Sequence, residues 1–541
     1  MKHRLDAVEL ALHHSLFAAC AEEMGATLMR TAHSPNIKER LDHSCAIFDR
    51  RGRLVAQAAH IPVHLGSLPG AVEAALERGP FRAGDVVLLN DPYAGGTHLP
   101  DLTLVSPVFL GRRGPPDFFV ASRAHHADVG GAAPGSMPLA REVYEEGIRV
   151  PPTFLVRGGT LERDILGLVL ANVRTPEERL ADLDAQLGAQ VTGGRRLREL
   201  AVRGGAHGAV RLREAAEGLQ RLAERRVRAA LARLPGGRFQ ARDQLDDDGL
   251  GTAPVRLVAT IERRGSSLRV DFTGSDPQTP GPVNAVASVT RAATYYAVRC
   301  LLGEVPVNDG TFRPIEVRAP LGTVVNPRPP AAVSAGNVET SQRIVDVVFA
   351  ALARMLPDRI PAASSGTMNN LLIGGRDPRI GRAFAYYETL AGGHGAGPNW
   401  AGESAMQAHM TNTRNTPVEA LEHAYPFRVV TTRIRRRSGG RGRQPGGDGV
   451  VRALELLAPA RVTVISERRR RGPYGLAGGE PGRPGINRLR LPRRGATRLP
   501  AKFQRDLPAG ALLTIESPGG GGFGIASRPG ARREGAARER T

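Results

Sequence analysis

Leu5, Val8, Leu12, Leu16, Ala19 and Cys20 recur at helical spacing, and the pattern predicts a long amphipathic helix from residue 5 to about residue 31. The rhythm then shortens. Apolar runs at 45–48 and 54–56 flank Asp49-Arg50-Arg51-Gly52-Arg53, the signature of a hairpin with glycine in its turn. Strand-like runs at 86–89, 102–105 and 118–121 follow between Gly/Pro-rich connections, as expected of strands buried in a sheet. From about 176 to 234 the chain turns helical and Arg/Glu-rich, with Leu212, Ala215, Leu219 and Leu222 on one face. A second β-rich section has strands at 256–261 and 268–272 around Gly265, helices at 284–302 and 341–356, and a short strand at 462–465. This irregular alternation predicts an α+β fold, a large mixed body with β-rich sections and long helices. Its lobes are expected at about 1–175, 176–250 (helical) and 251–525, ahead of a disordered Arg/Glu-rich tail at 526–541.

Composition narrows the class. A chain of 541 residues exceeds what one core usually serves, and its 41% apolar content is globular. No stretch approaches the length of about 18 apolar residues that a membrane helix needs. The start has acids and no apolar signal core, which points to a cytosolic protein. Cys20, Cys45 and Cys300 are too few and scattered for a disulfide framework or a thiolate zinc site. The net charge of +21 suggests nucleic acid, but only Lys2, Lys38 and Lys502 among the 74 basic residues are lysine. Arginine is therefore enriched everywhere, as biased codon usage would produce, and no RNP-like, zinc-finger or basic-zipper pattern accompanies the basic runs. An Arg-rich nucleic-acid binder is kept only as a competing reading. No lysine follows a glycine, which excludes a P-loop.

The chemistry gathers near the N-terminal strands. Seven of the 14 histidines fall between residues 33 and 126. Residues 90–101 (Asn-Asp-Pro-Tyr-Ala-Gly-Gly-Thr-His-Leu-Pro-Asp) lie between two strand-like runs, where loops present side chains to a cleft. His125-His126-Ala127-Asp128 lies at the end of the next run. If those strands are neighbours, His98, Asp101 and His125 converge at one rim of the sheet. Two imidazoles and a carboxylate suit a catalytic divalent ion, Mn, Fe or Zn, with positions left open for water or substrate. The competing reading is a hydrogen-bonded surface pair at His98 and Asp101, with Asp91 and Asp128 as turn or cap residues.

At these residues the chain resembles the hydantoinase B family. That family holds the B subunits of ATP-dependent N-methylhydantoinase, the matching half of 5-oxoprolinase, and subunits of acetone and acetophenone carboxylases. The resemblance runs from about residue 3 to 525. It is carried by residues 33–44 (His-Ser-Pro-Asn-Ile-Lys-Glu-Arg-Leu-Asp-His-Ser), 90–101, 124–135, 145–152, 336–343 (Gly-Asn-Val-Glu-Thr-Ser-Gln-Arg), 365–370 and 446–449. It implies a metal-bearing subunit with His98, Asp101 and His125 at the positions of the carboxylase relatives' manganese ligands. It also implies a separate A-type partner that uses ATP to phosphorylate a cyclic amide oxygen, the B subunit completing hydrolysis of the hydantoin or lactam ring. The ATPase domain has no counterpart in these 541 residues, so a second subunit is expected to supply it. The alternative within the family is a subunit of an ATP-dependent carboxylase.

Phosphorylation makes the amide oxygen a leaving group, so the remaining task is delivery of a nucleophilic water. Asp42, Asp128 and Glu146 are the candidates to orient that water or accept its proton, each equally open to a salt bridge with one of the arginines. Gly393, His394 and Gly395 sit in a Gly-rich loop that reads either as an anion nest for a phosphorylated intermediate or as a tightly packed turn. Asn337 and Arg343 open a helix and are candidate substrate contacts, with Asn337 alternatively a cap. His409 and residues 411–416 form a polar strip for ligand or partner, and residues 517–524 read as a terminating turn.

Overall fold

The computed structural model describes residues 5–526 apart from Ala59 and Arg112, so the expected tail lies, from residue 527 on, outside the described residues. Asp6 starts the first helix, α1 (Ala7–Thr31), through a capping box. Its carboxylate accepts from the Glu9 N–H, and the Glu9 carboxylate accepts from the Asp6 N–H. Phe17, Cys20, Met24 and Leu28 form the buried stripe, whereas Val8 and Leu12 are exposed, so the stripe begins later than the periodicity suggests.

Seven strands then form one antiparallel sheet: β1 (His43–Asp49), β2 (Leu54–Gln57), β3 (Val86–Leu89), β4 (Asp101–Val108), β5 (Phe118–His125), β6 (Thr153–Arg157) and β7 (Thr160–Leu161). Their order is β2-β1-β5-β4-β3-β6-β7. Both faces are covered. Ile47, Val120 and Ala124 pack under α1 and the helix Pro176–Arg203, while Ala46, Phe48, Phe119 and Ala121 pack against the helix Leu68–Leu76. Double coverage explains why β3 (Val-Val-Leu-Leu) and the first half of β5 (Phe-Phe-Val-Ala) read as unbroken apolar runs rather than alternating ones. The helices Pro176–Arg203 and Gly208–Ala232 occupy the predicted helical region.

Among the described residues there are three further sheets. The strands Arg238–Leu245, Val255–Arg264, Ser267–Asp271 and Ile315–Arg318 make one, packed against the helix Ser341–Met355 through Leu257, Ile261, Val348 and Leu352. Its first strand escapes a hydrophobic pattern search because Ala241 and Leu245 are its only buried residues. Two C-terminal sheets enclose Leu371, Tyr386, Phe427, Leu454 and Leu513. The structure is thus α+β throughout. No helix among the described residues is long and apolar enough to cross a membrane.

Beside the C-terminal sheets, Gly-rich segments lie backbone against backbone. A Cβ on Gly520 would stand 1.9 Å from the His394 carbonyl oxygen, and the Gly520 and Gly521 amides donate to the Gly447 and Ala363 carbonyls. Residues 517–524, expected as a terminating turn, are instead a buried segment of this stack. Half of the Arg468–Arg471 run is interior as well. Arg468 is buried on Asp243 and Asp346, and Arg469 donates to Asn369 and Asn487.

Candidate metal centre

Strands β4 and β5 are direct neighbours, and their register sets Asp101 opposite His125. His98 reaches the same point from the loop before β4, where Asp91 caps the turn by accepting the Tyr93 N–H. Asp101 Oδ1 lies 3.1 Å from His98 Nε2 and 3.3 Å from His125 Nδ1. The two imidazole nitrogens are 3.2 Å apart. Ligands about 2.1 Å from one ion stand roughly 3.0–3.4 Å from each other, so the three atoms fit a single divalent cation. All three residues are buried, and Asp101 Oδ1 has no hydrogen-bond partner. An oxygen so enclosed and unpaired is costly unless something positive meets it.

The surroundings orient these atoms. The Ser334 carbonyl, 3.3 Å from His98 Nδ1, can only accept, so that nitrogen carries a proton and Nε2 is the one turned to the cluster. The other Asp101 oxygen, Oδ2, is held by the Thr97 hydroxyl at 2.5 Å, His64 Nε2 at 3.5 Å and Asn337 Nδ2 at 3.5 Å. Ser44 pairs with His64 Nδ1 at 2.9 Å. Tyr387 stacks on His125 with centroids 4.5 Å apart, and its hydroxyl donates to Asn370 Oδ1. Burial works to raise the Asp101 carboxyl, but His98, His125 and His64 hold it well below the usual carboxylate range. His125 and His64 are both lowered by burial, which favours the neutral imidazole a metal needs, whereas at His98 burial is outweighed by Asp101, Asp42 and Glu146, which raise it while no cation is bound.

A cavity of ≈ 20 Å³, room for about one water molecule, adjoins Asp101 and His125. Asp42, His64, Asn337, Tyr387, Thr389 and Thr411 also line it. Burial pushes the Asp42 carboxyl up, against the pull of His125 and Arg40. Asp42 and Asn337 are therefore brought to the cluster, Asn337 from a π-helical turn (Gly336–Thr340) rather than as a cap.

The other candidates stand elsewhere. Asp128 accepts from the Gly130, Gly135 and Arg174 amides and from the Arg174 guanidinium, which makes it the organiser of its own turn. Glu146 accepts the Val333 and Ser334 amides and so fixes the loop whose carbonyl meets His98. Burial pushes its carboxyl up to about 7 despite those donors. Arg343 is buried among Asp243, Asp346 and Glu467. The amides of Gly393, His394 and Gly395 donate to Pro518 O, Glu403 O and Ser364 Oγ, so that loop offers no free anion nest. A Cβ on Gly393 would lie 1.9 Å from the Gly447 oxygen, and tight packing is the reason for glycine there. His126 turns away to Gln186. The parts played by His64, Thr97 and Tyr387 carry no sequence signature of their own; the only hint is that His64 belongs to the histidine-rich stretch.

Comparison with known proteins gives the family. The family described as Hydantoinase B/oxoprolinase matches residues 6–526. "5-oxoprolinase 1" of Arabidopsis thaliana is 39% identical over 549 residues, covering 96% of this chain but 42% of that protein. The chain thus spans about two fifths of that relative's length. A protein of Pseudomonas sp. (strain NS671), named as the B subunit of a D-/L-hydantoinase, is 30% identical, covering 93% of this chain and 87% of its own. Among solved structures, the ATP-dependent caprolactamase from Pseudomonas jessenii superposes with a TM-score of 0.89 at 29% identity, over 96% of this chain and 91% of that one.

Proposed function

Because the chain belongs to the hydantoinase B/oxoprolinase family, we propose that it is the hydrolytic B subunit of an ATP-dependent cyclic amidohydrolase acting on a hydantoin or lactam ring. An A-type partner would use ATP to activate the amide. The relatives' names supply the reaction class, and the observation that carries the reading onto this chain is the unpaired Asp101 Oδ1 between two buried imidazoles.

His98, Asp101 and His125 would hold a divalent ion, Mn, Zn or Fe. Such an ion lowers the pKa of a bound water and polarises an amide oxygen. The protein's own contribution is orientation. Ser334 and Glu146 fix the ring orientation and reach of His98, while Thr97 and His64 pin one oxygen of Asp101 so that the other faces inward. Asp42, on the cavity wall, would accept the proton of a water that attacks the activated amide carbon and return it to the ring nitrogen as the C–N bond breaks. Its raised carboxyl suits both duties. The acyl phosphate so left would be hydrolysed by a second water to carboxylate and phosphate. Enclosure by Tyr387, Met368 and Val338 keeps bulk water from the reacting amide.

The test combines the purified chain with an A-type subunit, ATP, 5-oxoproline or hydantoin, and labelled bicarbonate. Ring opening that requires ATP, both chains and Asp101, with no label in product, is the expected result. Label entering product would assign the chain to the carboxylases. Ring opening unaffected by Asp101→Ala would contradict the role of the cluster.

A further inference from the structure

The cavity beside Asp101 is too small for a ring, so a substrate must come from somewhere larger. A far larger cavity, of ≈ 640 Å³, lies next door and is of the size usual for small-molecule sites. One wall is common to both. His60 and Pro62 line the large cavity while Ile61, Val63 and His64 line the small one. Asn412 faces the former, Met410 and Thr411 the latter. Two hydrogen bonds tie these segments together, Val63 N–H to the Met410 carbonyl and Asn412 Nδ2 to the His60 carbonyl, at 3.2 and 3.3 Å. The partition is one chain thick.

The lining of the large cavity is chemically mixed, with His14, Gln57 and Arg299 among its polar side chains. Glu22, Arg226 and Glu304 stand at the exposed mouth, which leaves Arg299 as the cation of the inner wall, beside the His14 and His60 imidazoles. Ala56, Ala58, Pro62 and Val305 supply apolar surface for a ring.

We propose that this cavity is the vestibule of the metal centre: it binds a small ring amide bearing a carboxylate, which pairs with Arg299 while Gln57 and the imidazoles meet the amide, and passes it inward when the 60–62 and 410–412 wall parts. The passage inward rests on the proposed function; the binding site does not.

Cys300 provides the probe, since it lines the cavity and is exposed whereas Cys20 and Cys45 are buried. The rate of Cys300 alkylation by a maleimide, read by intact mass with Cys300→Ser as control, is measured with 5-oxoproline, 2-pyrrolidone or acetate present. Millimolar 5-oxoproline should slow alkylation about twofold or more, as half-occupancy by a ligand of millimolar Kd would. Pyrrolidone should protect less, acetate not at all, and Arg299→Gln should remove the difference between the two rings. Equal rates with every probe, or equal protection by acetate, would overturn the site. This assay requires neither metal nor partner. For the passage, chain loaded with Zn²⁺ is challenged with a chelator. A bulky maleimide on Cys300 should slow metal removal severalfold relative to a methylthio adduct, and equal rates would overturn the vestibule even if ring protection is seen. Failure to load any metal would instead contradict the proposed function and leave the binding result standing.

Discussion

Asp101 divides its two oxygens between two tasks. Oδ2 takes the donors Thr97, His64 and Asn337, so Oδ1 is left facing the imidazoles of His98 and His125. Asp42 has a different task, which Asp42→Asn should expose. In the reconstituted two-subunit enzyme kcat should fall by roughly 10²–10⁴, the range for loss of a general acid–base group, with KM changed far less. Steady-state kinetics check this, and a change confined to KM would remove Asp42 from proton transfer. Glu146 gives a pH prediction. Its folded pKa, about 7, lies above the ordinary 4.5, so between those values the folded state holds the proton more tightly than the unfolded chain. Stability from this group is therefore lost as pH rises from 4.5 through 7, by about 3 kcal/mol at most. Glu146→Gln keeps an acceptor for the Val333 and Ser334 amides without titrating. Urea melts should show the variant gaining on the wild type between pH 5 and pH 8, and a constant difference would refute the raised pKa.

At the scale of elements, strand adjacency decides the site. The apolar runs of β3, β4 and β5 could be read from the sequence because both sheet faces are covered, and the loop holding His98 and Asp101 was legible by its position between two of them. What no pattern contains is the register that sets Asp101 against His125, or the turn Pro62–Leu65 that brings in His64. Arg343 shows the same limit. Its partners include Asp243 and Glu467, about a hundred residues away on either side, so a helix-opening arginine that looked ready for substrate is neutralised inside the protein. The Gly-rich loops were ambiguous because glycine serves both anion binding and close packing, and only the neighbouring backbone distinguishes them. Two substitutions separate these uses of glycine. Gly393→Ala places a Cβ 1.9 Å from the Gly447 oxygen and should cost about 3 kcal/mol or more. Gly167→Ala, in an exposed helix with nothing within 4 Å of the new Cβ, should stabilise by about 0.5–1 kcal/mol. Denaturant midpoints distinguish them, and equal effects would refute the packing account.

For the whole molecule, only seven arginines are buried among the described residues: Arg40, Arg123, Arg179, Arg343, Arg452, Arg468 and Arg469. Of these, Arg343, Arg452 and Arg468 meet acids from distant segments. The net charge by itself assigns no partner, whereas the family relation predicts one. The isolated chain should show no ATP-dependent ring opening, and an A-type subunit should restore it; turnover by the chain alone would contradict the division of labour. The central claim, that three side chains from one loop and two strands hold an ion, is tested most directly by elemental analysis of protein purified after loading with Mn²⁺ or Zn²⁺. The account predicts about one ion per chain in the wild type and almost none in Asp101→Ala of unchanged fold, as expected when one of three ligands is lost. Full occupancy in that variant, or none in the wild type, would contradict it.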